Sequence, residues 1–250
     1  MVALSDLARE SEAIAAPGLW LSATEPLRAA LEFASMFARL PALLAAPRGD
    51  GHTVMVLPGF ATSDVMTQAL RNYLSWLGYD SEPWRLGFNT GYLKFGEDQA
   101  GLHARLSELA GRSADKVSLV GWSLGGMMAR QMARRYPEAV RRVITLGSPF
   151  TGDPRAISIR GMYKLVSGES VDSASWRERF ERDRAPPAVP TTAIYSRNDG
   201  VTAWRNCIEE PAAHTENIEV GGSHLGLTHN PEVLLHVAAI LARPRVAQEA

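Results

Sequence analysis

The run Val117-Ser118-Leu119-Val120-Gly121-Trp122-Ser123-Leu124-Gly125-Gly126 places one serine between an apolar, β-branched stretch and a helix-forming stretch, Met127 to Tyr136. That is the strand–turn–helix setting of a nucleophile elbow. In such a turn the serine adopts a strained backbone angle that lifts its hydroxyl above the sheet. The residues two before and two after it must then be small, and both are glycine, Gly121 and Gly125. The competing reading is a glycine-rich phosphate cradle. It is weakened because no lysine of the Gly-Lys-Ser/Thr kind follows.

A serine alone is a poor nucleophile; it needs a base, and the base needs an orienting acid. When the serine sits on a strand–helix elbow, the acid and then the histidine follow in the chain. Ile194-Tyr195-Ser196-Arg197-Asn198-Asp199-Gly200 reads as a strand and turn that leave Asp199 just past the strand's carboxyl end. Ile218-Glu219-Val220-Gly221-Gly222-Ser223-His224 repeats the arrangement and offers His224. Rivals are Asp153 as the acid and His229 as the base, the latter better suited to the start of the last helix. Asp199 also fits a plain Asp-Gly turn, and His224 a surface loop. An oxyanion hole needs two backbone N–H groups. Leu124 supplies one, and the loop Leu57-Pro58-Gly59-Phe60 the other, from Phe60 or Ala61, since Pro58 has no N–H to give.

The elements that must position these residues alternate from residue 53 onward. Strands are expected at 53–57, 80–84, 116–121, 140–146, 191–196 and 217–220. Helices are expected at about 64–77, 97–109, 124–135 and 231–242. Short continuous apolar strands separated by helices imply a mainly parallel sheet covered on both faces. The stretch from about 150 to 190 breaks the alternation and reads as a cap insertion over the site. Residues 1–50 read as a helical, alanine-rich extension with breaks at Pro17-Gly18 and Pro41. Within it, Pro26 to Ala46 has the apolar spacing of an amphipathic helix, suited to packing on the core, to self-association or to a membrane surface.

The 250 residues make one α/β domain, with 46% hydrophobic and 21% charged residues. A net charge of −1 and scattered arginines give no footprint for nucleic acid. The single cysteine, Cys207, rules out an intramolecular disulfide and a cysteine-based metal site. No metal and no organic cofactor is expected. Asp6, Arg9, Glu10 and Glu12 interrupt any secretory h-region, and no transmembrane stretch is present, so a cytoplasmic location is the expectation.

Together Leu57-Pro58-Gly59-Phe60, Gly121-Trp122-Ser123-Leu124-Gly125-Gly126, Thr145-Leu146-Gly147-Ser148-Pro149, Ser196-Arg197-Asn198-Asp199-Gly200 and Gly222-Ser223-His224 resemble the α/β-hydrolase superfamily, in its bacterial lipase and esterase branch. The resemblance covers roughly residues 50 to 245. It implies Ser123 as nucleophile, His224 as base, Asp199 as acid, and Phe60 and Leu124 as oxyanion donors. Two departures stand out: the two leading strands of many members are not evident, leaving about six, and the oxyanion loop reads Pro-Gly-Phe where many members have His-Gly. The expected activity is hydrolysis of a carboxylic ester with an apolar acyl group. Trp122, Phe150, Trp204 and Leu225 are expected to bind that substrate beside Phe60, Leu124 and Met127, with Met127 better read as core; Asn89 and Tyr92 are weaker candidates. The alternatives are an acyltransferase or C–C bond hydrolase with the same triad, or a ligand-binding protein whose triad is idle.

Overall fold

The computed structural model describes residues 14–92, 96 and 99–244. Six strands form one sheet: β1 (Thr53–Leu57), β2 (Asp80–Pro83), β3 (Val117–Trp122), β4 (Val140–Leu146), β5 (Thr191–Tyr195) and β6 (Thr215–Glu219). Their order is β2-β1-β3-β4-β5-β6, and every neighbouring pair is parallel. The central strands β1, β3 and β4 are buried along their whole length. A parallel strand covered by helices has no wet face on which to alternate, so the polar residues it carries, such as Ser118 of β3 and Arg142 of β4, are buried as well. The edges differ. β2 carries Pro83, which a central strand would not tolerate, and β6 is half-exposed.

Helices cover both faces. The helices named here are α1 (Leu19–Ala38), α2 (Leu40–Leu44), α3 (Gln68–Leu77), α4 (Ala100–Arg112), α5 (Leu124–Arg135), α6 (Arg160–Ser167), α7 (Ala174–Arg184) and α8 (Pro231–Leu241). Met55, Leu57, Leu119 and Val143 pack with α4, α5 and Trp176 and Phe180 of α7. Val54, Val56, Val120, Ile144 and Ile194 pack on the opposite face, against α3 and α8. Strand parity thus sorts the core into two layers. Trp122 falls in the second, while Leu124 and Met127 fall in the first.

The insertion between β4 and β5 holds α6 and α7, and an antiparallel bridge, Ile157 to Thr202, ties its entry to the turn after Asp199. Its exit is pinned from below. Arg130 of α5 donates to both carboxylate oxygens of Glu209 at 2.7 Å and to the Asp183 carbonyl at 2.6 Å, with its guanidinium 3.8 Å over the Phe150 ring. Both charged side chains are fully buried.

The amino-terminal region forms two helices parted at Arg39, and the first begins at Leu19, ahead of the 26–46 stretch singled out in the sequence. Residues 1–13 lie outside the described residues. The helix starts at Leu19, runs through Pro26, stops at Arg39 and resumes as α2 with Pro41 in its first turn. Pro26 removes one hydrogen bond to the Ser22 carbonyl, which the helix tolerates. Pro41, in contrast, favours a new start. The outward face of α1 is apolar, with Leu19, Trp20, Leu27, Leu31 and Phe37 all more than 60% exposed. Among the described residues no helix is long and apolar enough to cross a membrane.

Candidate active site

Ser123 lies between β3 and α5 with φ 54° and ψ −123°. A left-handed φ on a non-glycine residue is uncommon and costly. The surroundings enforce it: the Ser123 N–H donates to the Leu146 carbonyl of β4 at 2.8 Å, and its carbonyl accepts from Gly126 at 3.0 Å as α5 begins. Side chains at the flanking positions would collide with the backbone. A Cβ on Gly121 would lie 2.5 Å from the Gly125 oxygen, and one on Gly125 would lie 2.6 Å from the Leu57 and Pro58 oxygens.

Asp199 and His224 lie just past the carboxyl ends of β5 and β6. Nδ1 of His224 lies 2.6 Å from Oδ2 of Asp199, and both side chains are buried. Asp199 is held on all sides. Its Oδ1 accepts the N–H groups of Val201 and Thr202 at 2.8 and 2.7 Å, and its Oδ2 accepts the Thr202 hydroxyl at 3.0 Å. This set leaves Oδ2 facing the imidazole and fixes Nδ1–H as the donor, so Nε2 is the free nitrogen. Burial works against the imidazolium, but the charge and hydrogen bond of Asp199, with a smaller contribution from Glu25, raise His224 above the ordinary histidine value. Gly147, at the end of β4, has φ 55°, and a Cβ there would sit 3.0 Å from Oδ2 of Asp199 and 3.2 Å from Nδ1 of His224. Only glycine leaves that pair its room.

The Ser123 hydroxyl has no hydrogen-bond partner among the described residues. Two N–H groups beside it are also unpaired. Leu124 opens α5, where an N–H has no intrahelical acceptor. Of the two donors left open in the first loop, Ala61 is taken: its N–H bonds the Asn89 carbonyl at 2.7 Å. The Phe60 N–H has no such partner among the described residues. Asn89 holds this loop further, since its N–H donates to the Thr62 carbonyl at 2.8 Å and its buried side-chain amide donates to the Pro58 carbonyl at 2.9 Å.

A cavity of about 30 Å³ opens at Ser123. Its walls are apolar, with Phe60, Leu124 and Met127 from the sheet side and Ile157, Tyr163 and Trp176 from the insertion.

Among known proteins, a family model described as the alpha/beta hydrolase fold matches residues 97–160. A solved structure from work on LipS and LipT, two metagenome-derived lipolytic enzymes, superposes with a TM-score of 0.59 at 17% identity, covering 78% of this chain and 95% of that one. A lipase-esterase related protein from Clostridium acetobutylicum gives 0.56 at 15% identity, over 78% and 97%. The chain has the α/β-hydrolase fold. The Bacillus licheniformis lipase BlEst2 gives 0.55 at 16%, over 78% and 94%. A stretch of 82 residues is 32% identical to the biotin biosynthesis bifunctional protein BioHC of Teredinibacter turnerae, covering 33% of this chain but only 13% of that protein.

Within this α/β-hydrolase fold, the chain brings Ser123, Asp199, His224, Phe60 and Leu124 to one end of the sheet. The four residues expected to bind substrate stand elsewhere. Trp122 points into the opposite core layer, where its Nε1 donates to the His224 carbonyl at 3.0 Å. Phe150 is buried under Arg130. Trp204 stacks on Tyr195 beneath Arg197. Leu225 packs toward α8. None of these lines the Ser123 cavity; Met127, read as core, does so as well as packing in the core. Asn89 braces the loop that carries Phe60, and Tyr92 is buried beneath Trp176 and Arg179 of α7. Of the rivals, Asp153 pairs with Arg155 at 2.8 Å, and His229 bonds the Ala29 carbonyl at 2.9 Å.

Sequence reasoning missed Glu25 of α1. Its buried carboxylate accepts the N–H groups of Gly200, His224 and Leu225 at 2.7, 2.9 and 2.9 Å. The only signal was an acid at three- and four-residue spacing with Ser22, Ala29 and Glu32, a stripe too polar to read as a core-facing one. Among the described residues no group of three or more His, Cys, Asp or Glu could hold a metal ion.

Proposed function

We propose that this chain is a serine hydrolase that cleaves carboxylic esters with an apolar acyl group. The observation that carries the reading is Ser123: a non-glycine residue at φ 54°, its hydroxyl unbonded at an apolar cavity, at the same end of the sheet as the bonded Asp199–His224 pair that follows β5 and β6. The Ser123 Oγ attacks the acyl carbon and His224 Nε2 takes its proton. Asp199 keeps the imidazole in the tautomer with a free Nε2 and stabilises the imidazolium. The Phe60 and Leu124 N–H groups donate to the carbonyl oxygen as negative charge develops on it. The proton returns from Nε2 to the leaving alkoxide, and water then releases the acyl group by the same steps. Phe60, Met127, Ile157, Tyr163 and Trp176 hold the acyl chain, and nothing charged faces it.

The test is hydrolysis of p-nitrophenyl esters from acetate to palmitate, wild type beside Ser123→Ala. The expected result is a rate loss of about 10³-fold or more in the variant with folding intact, and labelling of Ser123 by a fluorophosphonate. No turnover of any ester together with no labelling refutes the reading. The apolar walls around Ser123 also suit an acyltransferase, whose acyl-enzyme must be kept from water. An added alcohol that captures the acyl group in preference to water would favour that activity.

A further inference from the structure

The face of α1 that meets the protein is polar, and its contacts converge on the two turns that carry the acid and the base. Oε1 of Glu25 accepts the N–H of Gly200, the residue after Asp199, and that of His224 itself, while Oε2 accepts the N–H of Leu225. One buried side chain, 3% exposed, therefore spans both turns. Neighbours one turn away extend the grip. The Ser22 hydroxyl donates to the Gly200 carbonyl at 2.6 Å, Arg28 donates to the Asn198 carbonyl at 2.7 Å and to Glu25 at 2.8 Å, and Glu32 accepts the Ser223 N–H at 2.7 Å.

Three N–H donors aimed at one side chain require an acceptor with two oxygens and no hydrogen of its own, which at this length only glutamate provides. A buried carboxylate is costly unless it is paired and fully bonded. Here four donors meet it. The ester-cleaving steps use none of this, although the Asp199–His224 distance depends on how the two turns sit against each other.

We propose that Glu25 is a positioning residue: its carboxylate ties the Asp199 turn to the His224 turn and thereby sets the geometry in which acid and base meet. This rests on the triad reading above. Asp199 and Glu25 are the charged groups that face His224; the other neighbour is the Trp122 ring, at 5.6 Å.

The experiment is Glu25→Gln, which keeps shape but swaps one acceptor oxygen for an NH₂ that faces an N–H. Two readouts are taken: kcat and KM for p-nitrophenyl butyrate across pH, and the downfield proton resonance of His224 Nδ1–H by NMR in the free protein. The expected result is a folded protein with kcat lowered by about ten- to a hundred-fold, KM within about two-fold, the acid limb of the profile moved to lower pH, and the Nδ1 resonance shifted or broadened. Glu25→Asp keeps both oxygens on a shorter arm and is expected to restore part of each change. Tyr73→Phe, which removes the buried bond to the Leu43 carbonyl of α2 at 3.0 Å and touches neither turn, is expected to lower Tm without moving the acid limb or the resonance. An unchanged resonance and profile in Glu25→Gln overturns the proposal, as does an effect that Tyr73→Phe reproduces in full. If Glu25→Gln does not fold, Glu25→Asp carries the same test: a wild-type resonance and profile there also overturn it. The resonance needs no substrate, so a failed ester assay and a failed role for Glu25 are told apart.

Discussion

Asn89 holds the loop that carries Phe60, the proposed oxyanion donor, and stands outside the Ser123 cavity, so truncating it separates loop position from chemistry. Asn89→Ala removes the bond to the Pro58 carbonyl at 2.9 Å and the acceptor for the Gly91 N–H at 3.3 Å. The main-chain bonds to Ala61 and Thr62, at 2.7 and 2.8 Å, survive the substitution. Asn89 is fully buried, so the orphaned Pro58 carbonyl finds no water in exchange. An unsatisfied buried group costs about 1–3 kcal/mol. For a chain of this size that is a fall in Tm of roughly 2–4 °C per kcal/mol. The functional cost has an upper bound in the complete loss of one oxyanion donor, about 10²–10³ in kcat. With two of the four bonds intact the loop shifts without collapsing, and a loss of about 10–10² in kcat is expected, with KM little changed. The assay is steady-state kinetics on a short-chain p-nitrophenyl ester beside a thermal melt. A variant with wild-type kcat and a lowered Tm would refute the link between this clamp and the oxyanion hole. A wild-type Tm would refute the clamp itself.

The raised His224 sets two pH dependences of opposite kind. Only the neutral imidazole acts as base, so the acid limb of kcat/KM is expected above the ordinary histidine value of about 6.5. The folded state favours the imidazolium, so its contribution to stability is full below about pH 6.5 and is lost as pH rises through the folded value, as denaturant melts across pH would register. Arg130→Met leaves Glu209 charged and buried without its partner, and a loss of about 3–5 kcal/mol by denaturant unfolding is expected. The double variant Arg130→Met/Glu209→Leu should recover most of it. Burial drives the Cys207 thiol well above its usual range, so it should resist a thiol reagent in the native protein and react once the chain unfolds.

What the sequence conveyed was whatever local chemistry decides. The glycines of the elbow, the Val-, Ile- and Leu-rich strands β1, β3 and β4, and the turns at Asp199 and His224 are each dictated by neighbours a few residues away. They were legible to within a residue or two. Side-chain facing was less so. Trp122 was placed with the substrate because it adjoins Ser123, but strand parity sends it to the other core layer with Val120. The cavity walls were hidden for a different reason. Ile157, Tyr163 and Trp176 come from the insertion, whose helices show no pattern tying them to Ser123. Glu25 was the least legible, because its partners lie 175 to 200 residues away and are main-chain N–H groups, which leave no trace in residue type.

Because the partners of Glu25 lie so far along the chain, the order of synthesis has a consequence for assembly. At about 5–20 residues per second, α1 leaves the ribosome on the order of 10–40 s before the turn that holds His224. In that interval its polar stripe has nothing to bind, and its apolar side has nothing to shield it. A lone helix of this length is marginal in water. The strands that carry Ser123 are made meanwhile and can pair, while the braced acid–base pair is completed only when residues 199–225 have emerged and α1 has closed on them. The nascent protein therefore acquires its Ser123 turn early and its braced His224 turn last.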